Sequence, residues 1–135
     1  MPSPSNKSRE IRYLTGEEVL IIHSDIIDAI GGSHGIRDIS LFASIIERPK
    51  TSLVGHEPYP TIYDKAAVYL QSFAKHQIFI DGNKRTAIAS AVRFLETNNH
   101  VFIGEIEDVS QTTQLIAKNK LTLEDIAAWL KKITR

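Results

Sequence analysis

Apolar residues recur at helical spacing in six stretches of this 135-residue chain, and almost nowhere alternate as a half-buried strand requires. Thr15-Gly16-Glu17-Glu18 forms a capping box, Thr15 as N-cap and Glu18 at N3. The helix it opens runs to about Ile30 and stops at Gly31-Gly32. Leu20, Ile22, His23, Ile26, Ile27 and Ile30 crowd one broad side of it, and a histidine so placed is more often a hydrogen-bonded core residue than a ligand. Asp38 caps a second helix to about Glu47, with Leu41, Phe42, Ile45 and Ile46 as its apolar positions. Pro49 forbids its continuation. Thr61 and Asp64 repeat the capping pattern before a third helix with Ala66, Ala67, Leu70, Phe73 and Ala74 on one face. Its small alanines predict close helix contacts and a central place in the fold, and Tyr63 and Tyr69 read as packing aromatics.

A fourth helix follows from Thr86 to about Asn98, with Ile88, Ala91, Val92 and Leu95 on one face. Val101-Phe102-Ile103 is a short extended run. The fifth helix spans about Ile106 to Lys118, with Val109, Thr112, Leu115 and Ile116 inward. Thr122 to Asp125 caps a sixth, carrying Ile126, Trp129, Leu130 and Ile133. The expected class is all-α. Two stretches escape the pattern. Residues 1–12, rich in Ser and Pro, read as a flexible leader before one domain over residues 13–135. Residues 50–60, punctuated by Gly and Pro, are too long for a simple turn and read as a flap, with His56 exposed on it.

Composition narrows the classes. Sixteen basic residues balance sixteen acidic ones, so the chain lacks the basic footprint of a nucleic-acid binder, and no direct nucleic-acid contact is expected. Cysteine is absent, which removes disulfides and thiolate zinc sites. No apolar run reaches the roughly 18 residues of a membrane span, and the N-terminus lacks a signal peptide's apolar core. A cytoplasmic protein without membrane contact is the expectation.

The chemistry gathers in His76-Gln77-Ile78-Phe79-Ile80-Asp81-Gly82-Asn83-Lys84-Arg85. Asp81-Gly82-Asn83 signals a turn, and a Gly-containing turn that opens a helix points free N–H groups and the positive helix end at one place. Anions, phosphate above all, bind there. Lys84 and Arg85 flank that place, and Asp81 offers a hard oxygen ligand for Mg²⁺. Two cations in a first helical turn oppose the dipole by roughly 0.3–1 kcal/mol each, a cost that suggests a purpose. The bland alternative is a solvated turn with surface cations. Arg37 and Asp38 can pair or fix the loop before the second helix.

The run Phe79 to Ala87 resembles the signature loop of the Fic/Doc family in its death-on-curing (Doc) branch. That signature reads His, any, Phe, any, Asp or Glu, Gly or Ala, Asn, Lys, Arg. Gly35-Ile36-Arg37-Asp38, Ile46-Glu47-Arg48-Pro49 and Tyr59 to Ala67 are similar to further family landmarks, so the resemblance spans about Tyr13 to Arg135. It implies a bundle of about six helices with a small β-flap near residues 50–60 that aligns a target peptide by strand addition. It also implies a toxin transferring phosphate, or AMP, from ATP to a hydroxyl of a target protein such as a translation factor. A separate antitoxin would supply the inhibitory helix, since this chain contains no Ser/Thr-x-x-x-Glu-Gly/Asn stretch. By resemblance, Asp81 holds Mg²⁺, the N–H of Gly82 with Asn83, Lys84 and Arg85 holds phosphate, and Lys84 in place of Gly favours phosphate over AMP. Phe79 anchors the loop.

One departure stands out. The family's catalytic histidine should fall at position 77, which is Gln77, and His76 sits one place early. Glutamine has no group that titrates near neutral pH, and general-base catalysis is typically worth about 10²–10⁴-fold. His76 is the candidate for a substitute base, against which one residue of displacement at a helix end swings the side chain by about 100° and would point it away. The alternative is a non-catalytic nucleotide- or partner-binding protein on the same fold.

Overall fold

The computed structural model describes residues 10–135. Among the described residues six α-helices carry the fold: α1 (Gly16–Ile30), α2 (Ile39–Glu47), α3 (Ile62–His76), α4 (Asn83–Thr97), α5 (Ile106–Ala117) and α6 (Leu123–Lys132). A 3-10 turn, Arg48–Lys50, follows α2. The expected all-α bundle is the observed one. Most of the expected leader, residues 1–9, lies outside the described residues. The ordered body reaches back past Tyr13, because Arg12 exchanges backbone hydrogen bonds with the Asn98 side chain.

Helix starts follow the expected caps. Thr15, Thr61 and Thr122 each accept from the N3 backbone while the N3 carboxylate accepts from the cap N–H. Asp38 accepts from Leu41 N–H at 2.9 Å. The central element is α3, packed against α2, α4, α5, α6 and the 3-10 turn. Nine of its fifteen residues are buried, Lys65 and Ser72 among them. Ala66, Ala67 and Ala74 there let α4 approach with Ala87 and Ala91, so the alanine pattern is explained by this contact.

Several expected faces are rotated. On α1 the buried positions are Val19, His23 and Ile27, four residues apart, whereas Leu20 (39%) and Ile30 (55%) stay exposed. Only one edge of α1 meets the bundle, so the apolar side is wider than the contact. On α4 the inward face is Thr86, Ala87, Ser90, Ala91, Phe94 and Leu95, and Ile88 and Val92 turn to a cleft instead. On α5 Thr113 and Ile116 are buried while Leu115 is exposed. The run at Val101–Ile103 is extended as expected: Val101 and Arg135 exchange backbone hydrogen bonds, and Ile103 N–H donates to Ile133 C=O.

The flap is smaller than a hairpin of strands. It is one antiparallel bridge, Leu53 with His56, closed by two hydrogen bonds of 2.8 Å across Val54 and Gly55. Gly55 has φ 71°, a conformation glycine adopts without a side-chain clash. Val54 at the tip is fully exposed.

Candidate functional site: the loop between α3 and α4

The helix α3 ends because Gln77 enters the left-handed region at φ 48°, ψ 54°. That conformation costs a non-glycine residue about 1–2 kcal/mol and persists only where surroundings fix it. Here they do. Ile78 and Phe79 plunge into the core, and Ile78 C=O accepts from Arg37 N–H at 2.7 Å. Ile80 N–H donates to Gly35 C=O at 3.2 Å, and Ile36 bridges Phe79. Arg37 therefore fixes the loop through its backbone, and among the described residues it forms no ion pair with Asp38.

Three side chains complete the frame. The Asn83 amide accepts from Phe79 N–H and donates to Phe79 C=O, both at 2.9 Å. His23, buried on α1, stacks on the Phe79 ring with centroids 3.8 Å apart and donates from Nε2 to Asp81 C=O at 2.8 Å. The core-histidine expectation holds, and the ring reports which tautomer the loop demands. Gly82 sits at φ 79° with the α1 side chains so near that a Cβ would meet Ile27 Cδ1 at 3.1 Å. The turn needs glycine twice over, for its dihedral and for this approach.

The sequence-assigned residues come together around this frame. Asp81 is exposed, and its Oδ2 accepts from Ser33 N–H at 2.7 Å. Gly82 is the N-cap of α4 and provides no side-chain cap, so the first-turn N–H groups face outward beside Lys84 and Arg85. Both cations are exposed, and neither forms an ion pair among the described residues. They also line a cleft of about 570 Å³ between α4 and α5, walled by Ile88, Val92, Phe102, Ile106 and Val109. The α5 wall does not follow from the sequence pattern, in which Val109 reads as inward and Thr113 is not assigned a face. Asn83 is the member whose geometry differs in kind: its amide is engaged by the loop itself.

Gln77 and His76 are both exposed at the end of α3. Partial burial, then the Lys75 ammonium and the Arg48 guanidinium, lower the His76 pKa from its ordinary 6.5. The ring is thus neutral near pH 7. Divalent cations find a single protein carboxylate here, and no group of three acidic or histidine side chains occurs among the described residues. One carboxylate beside a phosphate cradle is the donor set that Mg²⁺ shares with nucleotide phosphates and water. The residues fit that ion.

The loop between the two central helices of this all-α domain thus sets an uncapped helix start, flanked by two cations, beside a cleft. The profile of the Fic/DOC family matches residues 13–95. The chain is 38% identical to the Toxin Doc of Mycolicibacterium smegmatis (strain ATCC 700084 / mc(2)155) over 121 residues, 87% of this chain and 90% of the relative. It is 29% identical to the Protein kinase doc of Escherichia phage P1 over 123 residues, 91% of this chain and 96% of that relative. This chain belongs to the Fic/DOC family.

Proposed function

We propose that the protein is a Doc-like toxin that transfers the γ-phosphate of ATP to a protein hydroxyl, with turnover lowered by Gln77. One observation carries the reading: Lys84 and Arg85 belong at once to the uncapped start of α4 and to the wall of the apolar cleft. A polyphosphate in the cradle would place its nucleoside in that cleft, whose size and apolar lining suit a drug-sized ligand. In this assignment the N–H of Gly82 with Lys84 and Arg85 holds phosphate, and Asn83 keeps Phe79, Asp81 and the turn in register. Asp81 would hold Mg²⁺, which supplies charge neutralisation for the transferring phosphoryl group. Phosphate is favoured over AMP by Lys84 and by the kinase named among the relatives.

In the transfer, the acceptor oxygen forms a bond to Pγ, the Pγ–O bond to the β-phosphate breaks, and ADP departs with the electron pair. The acceptor proton needs a base. Gln77 can orient the hydroxyl and cannot take its proton. His76 can take it, being neutral near pH 7. A cytoplasmic site of action follows from the ATP requirement. An antitoxin helix finds apolar surface at the cleft edge, where Ile106 is exposed, with Val101 and Ile103 exposed nearby.

The test uses γ- and α-labelled ATP, Mg²⁺ and cell lysate. Transfer of the γ label is expected, slow in the native protein and raised by about 10²–10⁴-fold in Gln77→His. No gain in a folded variant defeats the Gln77 assignment, and movement of the α label alone defeats phosphotransfer. His76→Ala should abolish the residual rate, which in the native protein should rise with pH through a value below 6.5 and then level off. An unchanged residual rate removes His76 from the mechanism. Neither label moving in Gln77→His leaves the non-catalytic binding protein as the reading.

A further inference from the structure

The flap is held by a single bridge at its tip, and one side chain closes its base. Lys65 lies in the second turn of α3 and is fully buried. Its Nζ donates to Pro49 C=O at 3.4 Å where the flap begins, and to Tyr59 C=O and Glu57 Oε1 (2.9 Å) where it ends. The ammonium thus satisfies all three of its donors. Each of these acceptors belongs to the two limbs of the loop that carries the Leu53–His56 bridge. Arg48 repeats the pattern from the outside. It donates to Ser72 Oγ of α3 at 2.9 Å and to Tyr59 Oη at 3.3 Å, and its own C=O accepts from Thr51 Oγ1 at 2.7 Å. The bridge at the tip supplies only two hydrogen bonds, and Leu53 and Val54 bury little to hold it.

We infer that Lys65 is a positioning residue: its buried ammonium pins both limbs of the 49–59 flap to α3 and so sets the flap for the protein acceptor. The second half of that statement rests on the proposed transfer reaction, together with the strand addition of a target peptide that the family resemblance implies for the flap. The first half does not. A closed loop pays its ordering entropy once, at the closure point, and the closure point here is Lys65 Nζ. Because α3 ends at Gln77, the same rigid helix fixes the flap and delivers the signature loop. Acceptor and phosphate sites are thereby referred to one element.

Lys65→Met separates the pin from the fold. Methionine keeps the apolar stem, and Glu57, whose side chain is half exposed, returns its carboxylate to water and leaves no buried orphan charge. The carbonyls of Pro49 and Tyr59 lose their shared donor, so the limbs part and the helices remain. Hydrogen exchange at the Leu53 and His56 amides should quicken at least tenfold in Lys65→Met, with the α4 amides unchanged. Glu57→Gln, which leaves both carbonyl contacts intact, should quicken it two- to threefold. Unchanged flap exchange in both variants overturns the pin, as does equal loosening of α4 in Lys65→Met together with no change in Glu57→Gln. In a Gln77→His background with γ-labelled ATP and lysate acceptor, Lys65→Met should raise the acceptor concentration for half-maximal rate at least fivefold, with kcat and ATP affinity held. A fall in kcat with unchanged acceptor dependence overturns the positioning role. Absence of transfer from either background removes the transfer reading and leaves the pin to be judged by exchange alone.

Discussion

The signature loop and the flap differ in how much of the surrounding structure holds them. Residues 77–82 exchange hydrogen bonds with α1, the 33–37 segment and Asn83 at the start of α4, and their Phe79 ring is buried in the core. The flap has one bridge and a closing ammonium. The difference tracks chemistry. A phosphate cradle works only when its N–H groups and cations already point at the place where charge develops, since preorganisation is most of the catalytic effect. A segment that adds to a target strand must accept a backbone not known in advance, so it keeps an exposed apolar tip and a free edge. Under the proposed function, support is concentrated where charge would be handled and is thinnest where a partner would be read.

The largest break in this contrast is Phe79→Ala. The ring is buried and contacts His23 and Phe42, so its loss should destabilise the protein by about 3–5 kcal/mol. Calorimetry should show a large fall in Tm, and ATP binding should go with it; a folded variant with native ATP affinity would show that the loop is not held by the core. A smaller break is Gly82→Ala. The left-handed dihedral costs about 1 kcal/mol and the added Cβ presses on Ile27, so the variant should fold while the turn shifts. Titration with ATP should give weaker binding by about tenfold or more, with secondary structure retained. Native affinity would mean that the cradle does not depend on that turn.

Much of this contrast was legible beforehand. Capping boxes at Thr15, Thr61 and Thr122 and the glycines after Ile30 are local signals, and local signals set helix ends. The candidate loop was legible because Asp81, Gly82, Lys84 and Arg85 are neighbours in sequence. What could not be read is what depends on partners distant in the chain. Lys65, in the first turns of a capped helix, looks like a solvated cation until Pro49, Glu57 and Tyr59 fold over it. The engagement of Asn83 with Phe79 needs the turn geometry, which spacing alone does not give. The α1 face was misjudged because apolar composition reports what can be buried, while the neighbouring helices decide what is.

The smallest expected effect sits at the flap tip and tests the loose end of the comparison most directly. Val54 is fully exposed and makes no core contact, so Val54→Ser should change unfolding free energy by no more than about 0.5 kcal/mol. An apolar β-branched residue in water at the end of a two-bond bridge contributes little to the stability of the free protein, so under the proposed function its contribution would be to acceptor binding. In the Gln77→His background the variant should keep kcat and ATP affinity and need about two- to fivefold more acceptor. If acceptor dependence is untouched while Lys65→Met alters it, the limbs of the flap rather than its tip meet the target. The reading surface would then move inward, toward the Leu53 and His56 edge.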